Sequence, residues 1–541
     1  MNNSGNNQSN TEKNSAIATD VPLRAGKREW IGLAVLALPT LLLSLDLSVL
    51  FLAAPHLAAD LQPTAAQLLW IMDIYGFMIA GFLITMGTLG DRIGRRKLLL
   101  IGAGVFSIAS VAAAYSINPE MLIVTRALLG IAGATLMPST LALISNMFRN
   151  PQQRAVAVSV WMTCFLSGVA IGPVVGGVLL EYFWWGSVFL LGVPVMLLLL
   201  VTGPILLPEY RDPKAGRLDL ASVALSLVAI LPIIYGIKEL AKDGLEILPV
   251  LSMVAGLVFS LLFGLRQRRL TNPLLDLRLF AYRSFSIALG TMLFVLITVG
   301  GNTMFFAQYL QMVEGLSSWL AGLWMVPSAA AMIIGSLLSP LIARRIPPGY
   351  IVGLGLMISA GGFLLLTQVD QTSGVSLLII GFVIAFFGVS PTMVLGTDLV
   401  IGSVPPKKAG SASAISQTCM EFGMALGIAV LGSVGTAVYR NQMSDSIPAG
   451  VPVEAAEAIR DNLGSAIAVA EQLPSGLSME LLETAREAFT IGFNTSVSIS
   501  AVIGIVAALF AVVLLRHVRP SGEAHIEPDK HSSSLAEGER S

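Results

Sequence analysis

Long apolar stretches separated by short polar segments occupy most of this chain. A membrane-spanning helix needs about 20 mostly apolar residues, and fourteen stretches approach or exceed that length. They lie near residues 30–54, 68–89, 98–116, 120–147, 155–180, 185–207, 218–237, 248–265, 284–310, 319–343, 350–368, 375–402, 409–438 and 489–515. The pattern predicts an all-α polytopic membrane protein with fourteen transmembrane helices, numbered here as spans 1 to 14.

The distribution of Lys and Arg predicts the orientation, because cytoplasmic loops are enriched in both residues. If the N-terminus is cytoplasmic, 26 of the 32 basic residues fall in inner segments. Five fall outside, among them Lys238 and Lys242 after span 7, and one, Arg126, lies within a span. We therefore expect both termini in the cytoplasm of a bacterial cell, with the chain in its cytoplasmic (inner) membrane.

Three segments are too polar to span a membrane. Residues 1–29 and 516–541 are predicted to be disordered cytoplasmic tails, since they lack apolar residues to bury. Residues 440–488, between spans 13 and 14, are rich in Ala and Glu with a helical period. They predict an outward helical hairpin over the outer mouth, although a plain connector fits as well.

Composition supports the membrane assignment and argues against other classes. Of the 541 residues, 55% are hydrophobic and 12% charged, against roughly 45–50% and 25% in soluble domains. With a formal net charge of −1 we expect no nucleic-acid partner. Cys164 and Cys419 lie in apolar runs and the four His are scattered, which predicts neither a disulfide scaffold nor a metal site.

A faint internal duplication divides the chain. Similar short motifs recur in the same order near spans 5 and 13: Pro151, Arg154, Thr163, Cys164, Gly168 and Gly172 in one, and Pro405, Lys408, Thr418, Cys419, Gly423 and Gly427 in the other. The repeat predicts two pseudo-symmetric six-helix bundles, 30–207 and 284–515, with spans 7 and 8 (218–265) inserted. Paired halves are typical of secondary transporters that alternate access around a central site.

The segment after span 2 combines glycines with charges. It runs Gly87-Thr88-Leu89-Gly90-Asp91-Arg92-Ile93-Gly94-Arg95-Arg96-Lys97. The glycines allow neighbouring helix ends to approach, and Asp91 can accept charge-assisted hydrogen bonds from basic groups there. Such a clamp could hold one face shut and release it on rocking, but a plain positive-inside loop explains the segment equally well.

This segment resembles the signature loop of the major facilitator superfamily, and two further motifs resemble the same family. Span 4 contains Leu122-x-x-x-Arg126-x-x-x-Gly130-x-x-Gly133-Ala134. Span 5 contains Gly168-x-x-x-Gly172-Pro173-x-x-Gly176-Gly177, similar to the motif of the family's antiporters. The likeness runs from about residue 28 to 515.

Other segments resemble one branch of that family, the fourteen-helix drug:proton antiporters. Span 1 contains Leu45-Asp46 followed by Pro55, although Ser48 and Ala54 depart from the usual Thr and Leu. The segments 69–75 and 189–194 are similar to those of quaternary-ammonium exporters of the Qac, Lfr and Smv type. The motifs are specific for family and branch, and less so for substrate.

Four acids lie within spans, where an ionisable group costs about 2.5–3.5 kcal/mol. Asp398 is near a span end, where a helix-end role is as good an explanation as function. At 1.5 Å per residue, Asp46, Asp73 and Arg126 lie about 8–12 Å below the outer ends of their helices. They therefore share one layer, while Glu421 lies nearer mid-membrane. A buried carboxylate that holds either a proton or a cation is the simplest physical form of antiport.

The resemblance implies roles for these residues, since acids in spans 1, 2 and 13 are the family's usual sites of proton coupling and cation recognition. It implies proton coupling by Asp46 with Arg126, and cation binding or shared proton duty for Glu421. Asp73 could serve either purpose. For each acid, a structural ion pair or hydrogen bond remains the alternative.

An apolar cation also needs an aromatic wall. The candidates are Trp70, Tyr75, Trp161, Phe305, Phe306, Tyr309 and Trp324, and for each the alternative is core packing or interface anchoring. The small residues of span 5, namely Gly168, Gly172, Pro173, Gly176 and Gly177, should allow close packing against a helix of the other half.

These observations predict a proton-coupled multidrug efflux antiporter that exports lipophilic cations and is not an enzyme. We expect no cofactor and no ATP, because no G-x-x-x-x-G-K-[ST] loop is present, and a monomer in the lipid bilayer. Export of an endogenous metabolite, with drugs as incidental cargo, is the alternative. An anion site would require excess buried Lys or Arg, and by the predicted spans only Arg126 is present.

Overall fold

The computed structural model describes residues 25–148, 150–211, 219–243, 246–270, 273, 275–370, 374–404, 409–448 and 450–515. The predicted tails lie almost entirely outside these residues. The last three residues of the predicted N-terminal tail, 27–29, are helical, because the first helix begins at Lys27, three residues before predicted span 1. In the described part of the chain the protein is all-helical, which confirms the predicted fold class.

Fourteen helical elements correspond to the predicted spans. They are α1 (Lys27–Leu61), α2 (Ala65–Ile93), α3 (Arg95–Ala114), α4 (Pro119–Met147), α5 (Pro151–Tyr182), α6 (Ser187–Leu190 and Gly192–Leu206), α7 (Leu220–Asp243), α8 (Ile247–Arg269), α9 (Arg283–Gln308), α10 (Ser318–Ala343), α11 (Pro348–Leu366), α12 (Gly374–Gly402), α13 (Ala409–Ser446) and α14 (Ser475–Leu515). In the described residues thirteen helices are long and apolar enough to cross a membrane, and α5 is the fourteenth if its two bent parts count as one span. The bend of 44° lies between Val169 and Ile171, where Pro173 removes the hydrogen bond to the carbonyl four residues earlier.

Local sequence explains where the helices start. The Thr64 hydroxyl caps α2 by accepting a hydrogen bond from Gln67 N at 3.2 Å, and the Asn118 side chain caps α4 through Met121 N at 2.8 Å. Between α2 and α3 the chain turns at Gly94, whose φ is +115°. Glycine is required there because other residues rarely adopt this conformation.

Each half is built from the same pairs of helices. In the N-terminal half α1 packs on α5, α4 on α2 and α3, and α6 on α3 and α1. In the C-terminal half α9 packs on α13, α12 on α10 and α11, and α14 on α11 and α9. Because α1–α6 and α9–α14 have corresponding partners in the same order, the packing supports the duplication inferred from the motifs.

The halves meet along two seams, α2 against α13 and α5 against α10. The inserted helices α7 and α8 pack on each other, and α7 also contacts α2 and α13. An apolar cluster of Phe77, Ile234, Ala425 and Ala429 fills this junction. α7 therefore lies along one seam between the halves.

The segment between α13 and α14 is helical but is not the simple hairpin that was predicted. It contains two short helices, Val453–Asp461 and Leu463–Ala470, while the predicted second arm around 479–486 is the start of α14. The Asn462 side chain donates to the Pro63 carbonyl at 3.3 Å, and Leu463–Ala470 packs on α1 and α14. The segment thus covers one end of the bundle, called the outer face here because the predicted topology places it outside.

Candidate functional site

The first buried ion pair joins α1 to α4. Arg126 Nη1 donates to Asp46 Oδ2 at 2.9 Å, and the two side chains are 1% and 12% exposed. Arg126 Nε donates to the Ile71 carbonyl at 3.3 Å, and its guanidinium lies 4.5 Å from the centre of the Tyr75 ring. The structure therefore places Asp46, Arg126 and Tyr75 together in the N-terminal half.

The second buried pair was missed by the sequence analysis, which assigned Lys238 to an outer segment. α7 continues to Asp243, so Lys238 is a fully buried helical residue. Its Nζ donates to Asp73 Oδ1 at 2.9 Å and lies 2.7 Å from Oδ2. The assumption that Arg126 is the one basic residue within the spans is therefore wrong.

Asp73 and Arg126 do not share a cavity, although they lie at similar depth. Asp73 and Tyr75 are two positions apart, which is about 200° around a helix. Tyr75 faces Arg126 on α4, so Asp73 faces the opposite way and meets Lys238 on α7. A depth estimate alone does not contain this angular information.

Glu421 on α13 is buried and has no ion-pair partner in the described part of the chain. Gln417 Nε2 is its hydrogen-bond donor, at a long 3.4 Å, and the same amide lies 3.6 Å from Met137 Sδ of α4. One turn further, Ala425 Cβ would be 3.0 Å from a Cβ added at Gly76 of α2. Glu421 therefore lies where the two halves meet.

Aromatic rings lie beside both buried cations. Lys238 Nζ is 3.6 Å from the centre of the Trp70 ring. The Tyr75 ring lies beside Arg126 in the same way. Phe77 of α2 and Phe422 of α13 meet edge to face across the seam. Trp70 and Tyr75 thus belong to the layer of buried charges.

The remaining predicted aromatic residues lie elsewhere. Phe306 stacks on Phe382 with 3.9 Å between ring centres, Tyr309 OH donates to the Asp370 carbonyl, and both are core residues of the C-terminal half. Trp161 Nε1 donates to Thr140 Oγ1 at 3.3 Å, and Trp324 is 43% exposed on α10. The candidate aromatic residues are therefore distributed over several parts of the structure.

Two cavities lie towards the outer face. One, lined by Phe305, Leu69, Gly432 and Tyr439 among others, follows the α2–α13 seam. The other, of about 410 Å³, lies below the helix Leu463–Ala470 and is lined by His56, Glu181 and Gln311 among others. Neither is lined by Asp46, Asp73 or Glu421.

The charged residues after α2 form a network within the N-terminal half. Asp91 Oδ1 accepts from Arg95 Nε at 2.8 Å, and Gly87 packs near Pro138 of α4. Glu209 accepts hydrogen bonds from the backbone N–H groups of Arg96 and Lys97. Gly94 lies next to this carboxylate, and its lack of a side chain leaves room for it. Arg92 is exposed. Among the described residues these contacts do not cross to the C-terminal half, so the predicted clamp joins helix ends of one half in this structure.

The small residues of α5 divide between two partners. A Cβ added at Gly168, Gly172 or Gly176 would meet Ser44, Ser48 or Val49 of α1 within 2.7 Å. A Cβ added at Gly177 would lie 2.5 Å from the Ser318 carbonyl of α10, and one at Gly322 would lie 2.2 Å from the Pro173 carbonyl. The expectation that all five face the other half is wrong for the first three, because positions four apart share one helix face and 173 and 177 lie on the next.

Lys238 and Gln417 are the candidates that sequence reasoning missed. The available signal for Lys238 was the short predicted span 7, since the helical pattern continues through residues 239–243. For Gln417 the signal was its position one turn before Glu421. Both became visible only once neighbouring helices were in place.

A multi-helix membrane body with two packed halves and buried charges where they meet defines a membrane transporter. Residues 36–428 match the family model described as Major Facilitator Superfamily. The chain belongs to this superfamily, as its motifs indicated, and is a multi-pass membrane transporter.

Similar proteins include ones named as multidrug efflux pumps and as resistance proteins. The chain is 41% identical to the multidrug efflux pump LfrA of Mycolicibacterium smegmatis over 91% of its own length and 97% of the relative's. It is 33% identical to the methyl viologen resistance protein SmvA of Salmonella typhimurium, covering 87% and 95% of the two chains. A similar solved structure is an inward-facing bacterial homologue of the human lysosomal transporter Spinster, with a TM-score of 0.65, 17% identity, and coverage of 91% and 98%.

Proposed function

We propose that this protein is a proton-coupled multidrug efflux antiporter that exports lipophilic cations by alternating access. The observation that supports this most directly is Glu421, a buried carboxylate without an ion-pair partner in the described residues, at the junction of the halves. A buried carboxylate is stabilised either by a proton or by a cation. A proton and a cationic substrate therefore compete for the Glu421 carboxylate.

The coupling pair in this proposal is Asp46 and Arg126. In the described structure Asp46 is held by Arg126, so it becomes available only when the pair opens. Opening would let Asp46 accept a proton while Arg126 keeps its contact with the Ile71 carbonyl. Asp46 would thus take up a proton at one stage of the transport cycle, and Glu421 would bind a proton or a cation at another.

The name of one relative supports a cationic cargo. It is a resistance protein for methyl viologen, which is a quaternary ammonium dication. Within the proposal the protein acts as a monomer in the bacterial cytoplasmic membrane, with both termini inside. It needs no cofactor beyond the proton gradient.

The test is transport of ethidium or a quaternary ammonium dye in proteoliposomes with an imposed pH gradient. Wild type should move the dye, and Glu421→Gln and Asp46→Asn should abolish gradient-driven transport. Asp398→Asn is the matched control, since that acid is exposed near the end of α12. If neither site variant affects transport, the coupling assignment is wrong, and if wild type moves no cation, the substrate class is wrong.

A second candidate is export of an endogenous metabolite. One relative, 30% identical over 94% of this chain, is a tetracenomycin C resistance and export protein of Streptomyces glaucescens. Lys238 also adds a second buried basic residue, although Asp73 neutralises it. The two candidates are distinguished by offering the same vesicles an extract of metabolites from the cell that makes this protein. Uptake of a metabolite in preference to the dye would favour the second candidate.

A further inference from the structure

The contacts of Lys238 have the chemistry of a cation-recognition site. Its ammonium group lies between the Asp73 carboxylate, at 2.7 and 2.9 Å, and the face of the Trp70 ring, at 3.6 Å. A carboxylate together with an aromatic face is the pair of groups that binds organic ammonium ions. Here the bound cation is part of the protein itself.

Asp73 depends on one cation for its side-chain contacts. A buried ion pair offsets its desolvation only when the lone pairs of the carboxylate find donors. Among the described residues the side-chain donor to Asp73 is Lys238, whose Nζ lies 2.9 Å from Oδ1 and 2.7 Å from Oδ2. A cationic ligand that replaces this ammonium group would therefore meet both carboxylate oxygens.

The location of the pair connects it to movement of the halves. Asp73 and Trp70 belong to α2, while α7 packs through Ile234 against Ala425 and Ala429 of α13. Any separation of α2 from α13 must pull α7 away from one of them. Lys238 is therefore on the element that changes neighbours when this seam opens.

We propose that Asp73 and Trp70 form a subsite for a monovalent organic cation, and that Lys238 is its tethered occupant, which the cargo displaces during transport. This inference rests on the proposed export of cations. It assigns the inserted helix α7 a direct part in substrate binding, as an internal competitor that fills the subsite when cargo is absent.

The test is equilibrium binding of ethidium to the purified full-length protein, measured by fluorescence anisotropy. A tethered competitor acts at an effective concentration of roughly millimolar, so Lys238→Met should tighten dye binding by about tenfold or more. Lys238→Arg, which keeps the charge, should bind as wild type does. The gain should vanish in Lys238→Met/Asp73→Asn and fall in Lys238→Met/Trp70→Leu.

A structural pair predicts the opposite pattern. Lys238→Met would then bind dye no more tightly than wild type, and the neutral double variant would recover stability without any change in affinity; this result overturns the inference. If Lys238→Met does not fold, Lys238→Gln, which keeps a hydrogen-bond donor for Asp73, must show the same gain or the inference is overturned.

Failure of this inference is distinguishable from failure of the proposed function. If wild type transports and binds the dye but the Lys238 variants bind no tighter, only the tethered-cation inference is overturned. If wild type neither transports nor binds any cationic dye, both are overturned.

Discussion

The two halves of this transporter use buried polarity in different ways. In the N-terminal half, Asp46 pairs with Arg126 and Asp73 pairs with Lys238 of the adjoining inserted helix. In the C-terminal half, aromatic rings cluster around Phe306 and Phe382 in part of the described core, and Glu421 is a buried acid without an ion-pair partner in the described residues. The N-terminal half has its buried acids neutralised, one of them by the inserted helix, and the C-terminal half leaves a carboxylate available.

This difference follows from the free energy of buried charge. A paired charge is stable but must break a strong contact before it can bind anything else. A single acid avoids that cost because it can take up a proton. The N-terminal pairs must therefore open before they exchange a proton or cation, whereas the C-terminal acid can do so without breaking an ion pair, and four measurements test this contrast.

The largest expected effect is at the first ion pair. Asp46→Leu leaves Arg126 buried without its partner, and an arginine does not deprotonate in proteins. We expect the free energy of unfolding in mixed micelles to fall by about 3–5 kcal/mol. Arg126→Met should cost less, because Asp46 can then accept a proton. Equal losses for the two variants would contradict this account of the pair.

The next effect tests the aromatic core of the C-terminal half. Phe306→Ala removes a fully buried ring stacked on Phe382, and should lower the free energy of unfolding by about 3 kcal/mol. Dye affinity of the folded protein should not change, because the ring lies away from the buried charges. Trp324→Ala, at an exposed ring, is the control. A loss of dye affinity in Phe306→Ala with normal stability would restore Phe306 to the binding site.

A smaller effect is expected where the halves touch. Gly177→Ala places a Cβ 2.5 Å from the Ser318 carbonyl, and such overpacking costs about 1–3 kcal/mol. The clash lies on the α5–α10 seam and should loosen it. Labelling of a cysteine introduced near the outer face should therefore increase. Gly361→Ala of α11 is the matched control, since no atom lies within 4 Å of the added Cβ. Identical behaviour of the two variants would mean that this seam does not close the outer face.

The smallest effect on stability and the largest contrast with activity are expected at Glu421. Glu421→Gln removes a buried acid without breaking an ion pair, so the free energy of unfolding should change by less than about 0.5 kcal/mol. Transport driven by a pH gradient should nevertheless be lost. A loss of stability as large as that of Asp46→Leu would show that Glu421 has a partner and would remove the contrast between the halves.

Sequence reasoning located most elements but fewer of their contacts. The ends of α2, α4 and α12 lie within a few residues of the predicted spans, because a lipid-exposed backbone must be helical over the apolar thickness. Asp46, Asp73 and Arg126 could be assigned to one layer from their depth. Lys238 could not, because α7 continues six residues beyond the predicted end of span 7, which moved Lys238 from a predicted loop into the interior.

The glycines of α5 show the same limit on a smaller scale. Their spacing predicts close packing, and close packing is found. Which partner each glycine meets depends on its angle around α5 and on the bend near Pro173, so Gly168 contacts α1 and Gly177 contacts α10. No property of the segment alone distinguishes the two.

By itself the sequence determined the membrane class, the number of helices, the superfamily and the set of buried acids. Hydrophobic length and the cost of burying charge act locally along the chain, so they can be evaluated without a fold. The tertiary structure alone decided which charges neutralise each other: Arg126 with Asp46, Lys238 with Asp73, and Glu421 with none among the described residues. Pairing depends on the relative rotation of helices distant in sequence, and that rotation is established only when the helices pack.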